Sequence, residues 1–94
     1  MSDLFTICVE YDGGTYISQF KAEDPSLAIR LWCESFEYDE KINKKTRNIA
    51  VSVRQSIELS NECPVQLEGI ENVWCICSSY RKNLILLNII KTAQ

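Results

Sequence analysis
The sequence predicts an α+β fold: one antiparallel sheet of four strands from an N-terminal and a C-terminal hairpin, with one or two helices on one face. A fifth strand enters if residues 49–59 are extended. Three observations carry this reading. Leu4 to Tyr11 alternates with period two and runs into Asp12-Gly13-Gly14. Asp24-Pro25 opens a stretch with helical spacing. A second pair of strand-like segments, Val73 to Tyr80 and Leu84 to Ile90, flanks Arg81-Lys82-Asn83.

In the first segment Phe5, Ile7, Val9 and Tyr11 share one face, and Leu4, Thr6, Cys8 and Glu10 share the other. Asp-Gly and Gly-Gly both suit the positive φ angles of a type I′ turn, so two registers are open. Either one sets Tyr16, Ser18, Phe20 and Ala22 beside the odd-numbered residues of the first strand. Thr15, Ile17, Gln19 and Lys21 then join Thr6, Cys8 and Glu10 on a largely polar outer face.

Asp24 can cap the first free N–H groups of a helix, and Pro25 at its first position has no N–H to lose. Leu27, Ala28, Leu31, Trp32 and Ser35 are expected on the inner side; Ser26, Arg30, Glu34 and Glu37 form the solvent stripe. Continuation past Phe36 would place Tyr38 and Ile42 inward and pair Glu37 with Lys41 and Glu40 with Lys44.

Residues 46–60 fit two patterns. As a strand, Ile49, Val51, Val53, Ile57 and Leu59 fall on one face. As a helix, Ile49, Ala50, Val53 and Ile57 make a stripe that leaves out Val51 and Leu59. The Ser60-Asn61-Glu62-Cys63-Pro64 run has helix-stop composition, and the helical reading is preferred. Val65 to Gly69 reads as a short extended piece and a turn. Leu84 to Ile90 is apolar on both faces, as in a central strand or one whose second face meets a partner.

The chain has 94 residues, enough for one domain and one core. No basic leader precedes the first strand, and the longest apolar run falls far short of the ~20 residues that span a membrane. The expectation is a soluble cytoplasmic protein, and its five cysteines, an odd number without framework spacing, fit free thiols.

The chain contains no histidine. That removes Ser-His and Cys-His nucleophile pairs and histidine metal sites. The paired glycines sit in a hairpin and not between a strand and a helix, so no phosphate loop is present. Cys75 and Cys77 share a strand face, but lack the C-x-x-C spacing of a metal knuckle and read as small buried hydrophobes. Trp32 and Trp74 read as core residues. No catalytic residue, metal ligand or cofactor is expected.

Charge is uneven. Residues 1–40 hold nine acids against two bases, and residues 41–54 hold five bases and no acid. That block reads as a solvated helix end, and nucleic acid is not expected as a partner, because the whole chain carries a net charge of −3. The expected partner is another protein or a second copy of the chain, met through the outer sheet face or an edge strand. Thr15, Ile17, Gln19, Leu84 and Leu86 are the candidate contact residues.

The stretch EYDGGTYISQFKAEDPSLAIRLWCE resembles the opening of HicB-type antitoxins, which also run a Tyr-Asp-Gly-Gly-like hairpin into a capped helix. It covers about the first third of the chain and lacks the further strand with a Pro-Gly turn that those proteins place before the helix. The hairpin and the ending NVWCICSS…NLILLNIIKT also resemble small uncharacterised bacterial proteins. The resemblance implies a bacterial cytoplasmic origin, admits an immunity- or antitoxin-like role, and assigns no functional residue.

Overall fold
The computed structural model describes residues 2–38, 43–60 and 63–92. Its elements are β1 (Asp3–Tyr11), β2 (Gly14–Ala22), α1 (Pro25–Glu37), α2 (Lys44–Ser60), β3 (Val65–Gln66), β4 (Val73–Tyr80) and β5 (Asn83–Thr92). The strands form one antiparallel sheet in the order β2-β1-β5-β4-β3. Both helices lie on one face, α1 over β1 and β2 and α2 over β4, and they pack on each other. The fold is therefore a two-layer α+β sandwich.

The first hairpin pairs Tyr11 with Gly14, so Asp12 and Gly13 make the turn, at φ 48° and 79°. A side chain at Gly13 would be strained whatever space surrounds it. The second hairpin pairs Tyr80 with Asn83, so its turn is Arg81-Lys82 alone, at φ 51° and 68°. Asn83 belongs to β5, not to the turn as its composition suggests. Two long basic residues in the left-handed region are unusual and mark a turn imposed by the strands on either side.

The inner face alternates as the sequence predicts. Phe5, Ile7, Val9 and Tyr11 of β1 are buried with Ile85, Leu87 and Ile89 of β5 and Ile76 of β4. Tyr16, Phe20, Trp74 and Tyr80 pack at the margins of this core. Phe5 meets Trp74 edge to face, with ring centroids 6.0 Å apart. β5 is the middle strand of the five, as its continuous apolar run suggests.

Asp24 caps α1, its carboxylate accepting the Leu27 N–H at 2.7 Å. The buried side of α1 is rotated from the expected one. Ala28, Ile29, Trp32 and Cys33 are inside, Ser35 is exposed, and Leu27 is 40% exposed. Spacings of one, three and four residues hold for both choices; only the line of contact with β1, β2 and α2 selects between them. The helix ends at Glu37, so Tyr38 does not continue the buried side and is 75% exposed. Glu40, Lys41 and Ile42 lie outside the described residues; Glu37 pairs with Arg54 of α2.

Residues 44–60 are helical. Asn43 caps this helix by accepting the Thr46 N–H at 2.9 Å, and Ile49, Ala50 and Val53 are buried. The fifth strand is therefore not residues 49–59 but the two-residue β3, paired with Cys75 and Trp74 of β4. The helix seats on β4 through a polar contact too, with the Ser56 and Ser78 hydroxyls 2.6 Å apart. No described helix is long and apolar enough to cross a membrane.

Candidate interaction face
Strand pairing decides which side chains meet on the sheet face opposite the helices. Glu10 lies between Thr15 and Leu86, and Leu86 lies beside Cys77. The next row across the sheet runs Ile17, Cys8, Asn88, Cys75 and Val65. The third runs Gln19, Thr6, Ile90 and Val73, and the last joins Lys21, Leu4 and Thr92. No described helix lies over these rows. The centre of the face is thus apolar and thiol-bearing, with Asn88 as its one amide.

All five residues singled out from the sequence sit on this face. Thr15 and Leu86 flank Glu10. Ile17 is 68% exposed and Leu84 is 61% exposed, large values for aliphatic side chains in strands. Gln19 donates from Nε2 to the Thr6 hydroxyl at 3.0 Å, and that hydroxyl also contacts the Thr92 hydroxyl. A shallow depression lined by Glu10, Thr15, Leu84 and Leu86 adjoins the Asp12-Gly13-Gly14 turn. Sequence reasoning missed other members of the patch: Leu4, Cys8, Val73, Cys75 and Ile90. Their alternation was visible, but joining the outer faces of the two hairpins requires the β1–β5 pairing, which links residues more than 70 positions apart.

The Cys75 thiol on this face is not set up for chemistry. Partial burial pushes the Cys75 thiol up, and neighbouring Cys77 pushes it the same way by charge and by hydrogen bond. A raised pKa keeps a thiol protonated and a poor nucleophile. Among the described residues, no three Cys, Asp or Glu side chains gather closely enough to hold a metal ion.

Two other places concentrate polar groups. Between α1 and α2 a cleft of about 100 Å³ is lined by Arg30, Cys33, Glu34, Arg54, Ile57 and Glu58. Arg54 donates Nε and Nη2 to the two carboxylate oxygens of Glu37, at 2.8 and 3.0 Å, and Nη1 to Glu58 at 3.0 Å. Burial, reinforced by the Glu37 carboxylate, pushes the Cys33 thiol up to about 12. At the turn end, Tyr11 donates its hydroxyl to the Tyr80 carbonyl at 2.7 Å and Asn48 donates to the Tyr80 hydroxyl at 3.0 Å. Lys45 reaches Asp12 at 3.6 Å and lies 5.4 Å from the Tyr11 ring centroid. The basic block is therefore divided: Lys45 turns to the first hairpin and Arg54 to α1.

The fold and this face together define a two-layer sandwich with one sheet surface left open. No protein-family model, curated protein or solved structure matches this chain.

Proposed function
We propose that this chain is a small cytoplasmic protein-interaction module that binds through the helix-free face of its sheet. The observation that carries the reading is the contiguous patch of Leu4, Ile17, Leu84, Leu86, Ile90 and the thiols between them. Patches of this kind mark association surfaces, because their burial by a partner stabilises at about 25 cal/mol per Å². The chemistry elsewhere supports it. The chain has no histidine, and the most enclosed thiol, Cys33, is held protonated. That counts against the alternative, a small thiol and carboxylate enzyme or ligand binder in the α1–α2 cleft. Free thiols at Cys8, Cys33, Cys75 and Cys77 agree with a reducing compartment. An immunity- or antitoxin-like role in a bacterium is one form such a module takes.

The test is affinity capture from the source cell with three baits: wild type, Leu86→Lys, and Gln55→Lys on the exposed side of α2. The reading expects one stoichiometric partner on wild type and Gln55→Lys that Leu86→Lys loses. Retention of that partner by a folded Leu86→Lys variant overturns it.

A further inference from the structure
We propose that the open sheet face binds a second copy of this chain about a two-fold axis that runs across the strands. This rests on the reading of the face as an interaction surface and adds its occupant and geometry.

Area is the first argument. Four strands of eight to ten residues cross the face. At about 4.8 Å between strands and about 3.3 Å per residue, with side-chain relief added, they offer about 600–700 Å². Two copies would bury about 1,200–1,400 Å² together, inside the range of specific stable interfaces. Apolar and thiol side chains hold about half of this face, an apolar patch of about 300 Å² or more, a size that on a monomer is often functional. Two antiparallel sheets can close face to face at about −30° and about 10 Å apart, giving four layers with the helices outside.

Charge fixes the axis. Glu10 and Lys21 are the only charged side chains on this face of the four long strands, and neither has an ion-pair partner among the described residues. Glu10 pairs with Thr15 and Lys21 with Leu4, so they stand at opposite ends of the hairpin. Six residues of strand separate these rows, about 20 Å, well beyond the screening length of about 8–10 Å in ordinary salt. They cannot pair within one chain. A two-fold axis across the strands, between the Cys8–Ile17 row and the Thr6–Gln19 row, exchanges those ends. Glu10 of one copy then faces the row of Leu4 and Lys21 in the other, and symmetry forms the contact twice. An axis along the strands between β1 and β5 would instead lay Glu10 on Leu86 of the other copy. That buries an unpaired carboxylate, which costs far more than it returns. The surface is self-complementary in the first arrangement only.

The test uses the purified chain alone, by sedimentation equilibrium from micromolar to millimolar concentration. Wild type is expected to dimerise. Glu10→Lys and Lys21→Glu, both at exposed positions, are each expected to weaken the dimer about tenfold or more, since each places like charges together twice. The double variant Glu10→Lys with Lys21→Glu is expected to return to within about threefold of wild type. A wild-type monomer at millimolar concentration overturns the proposal, as does a dimer indifferent to the single swaps or weakened further by the double one. The failures are separable. A monomeric chain whose cellular partner is still lost by Leu86→Lys ends the second copy and keeps the interaction reading. A Leu86→Lys variant that both dimerises and captures normally ends both.

Discussion

Replacing Cys33 by alanine should invert the stability order of the two proteins between neutral and alkaline pH. Cys33 is 2% exposed, and its thiol is raised from 9.0 to about 12, first by burial and then by the Glu37 carboxylate, with Arg54 opposing. The sign follows from proton counts. Above about pH 9 the unfolded chain has lost this proton and the folded one keeps it, so the unfolded state binds fewer protons and stability falls as pH rises. The stabilisation is complete below about pH 9 and is lost by about pH 12. Three pKa units correspond to about 4 kcal/mol, of which about 3 is gone by about pH 11. A domain of this size is stable by only about 5–14 kcal/mol, so the loss is large. Alanine removes the titration and leaves a small cavity, which costs about 1–2 kcal/mol at any pH. Urea unfolding at about pH 8 should therefore find Cys33→Ala weaker by about 1–2 kcal/mol, and at about pH 11 stronger by about 1 kcal/mol. Every other ionisable group is the same in both proteins and cancels in the difference. A difference that stays constant from neutral to alkaline pH would refute the reasoning, and would reopen the α1–α2 cleft as a place for thiolate chemistry.

Two local substitutions test how the backbone is held. Lys82 sits at φ 68° in the second hairpin turn, so Lys82→Gly should relieve left-handed strain by more than the added entropy of the unfolded chain. The expected gain is about 0.5–1 kcal/mol, read as a rise of about 3–6 °C in thermal unfolding; a lower melting temperature would mean that the lysine side chain holds the turn. Asp24→Ala should remove the cap of α1 at the Leu27 N–H and lower stability by about 1 kcal/mol in urea unfolding. No change would place the carboxylate bond outside the stability of the helix.

Local rules reached the parts of this fold that are local. Period two along residues 4–22 assigned every inward side chain of the first hairpin, and Asp24-Pro25 marked the start of α1. They fell short where two patterns share residues. Ile49, Val53 and Ile57 belong to both a strand face and a helix stripe, so only the outliers discriminate. Leu59 is 78% exposed and Val51 is half-buried, which is the helical answer. The rotation of α1 has the same origin: Leu27 and Ile29 are each consistent with one apolar arc, and contact with the sheet and α2 chose Ile29. Fifth-strand pairing at Val65–Gln66 needs only two residues, too few for any periodicity to register.

The last strand carries the argument from fold to function. Its apolar character on both faces admits two explanations, a central place in the sheet or a partner on the second face. Strand order establishes the first: β5 lies between β1 and β4. Yet a central place accounts only for the hydrogen bonds on both edges. The faces are a separate matter. Ile85, Leu87 and Ile89 are covered by the core, while Leu84 and Ile90 on the other side remain exposed. Pairing sets Glu10 and Cys77 beside Leu86, Cys8 and Cys75 beside Asn88, and Thr6 and Val73 beside Ile90, so the apolar side chains on this face of β5 are flanked by a mixture of thiol, apolar and polar groups. Charge is kept to Glu10 and Lys21 near the ends, where it can select a partner's orientation without desolvating the centre. A central place in the sheet accounts for the paired edges of this strand and the core for its inner face; the proposed partner would cover the other face.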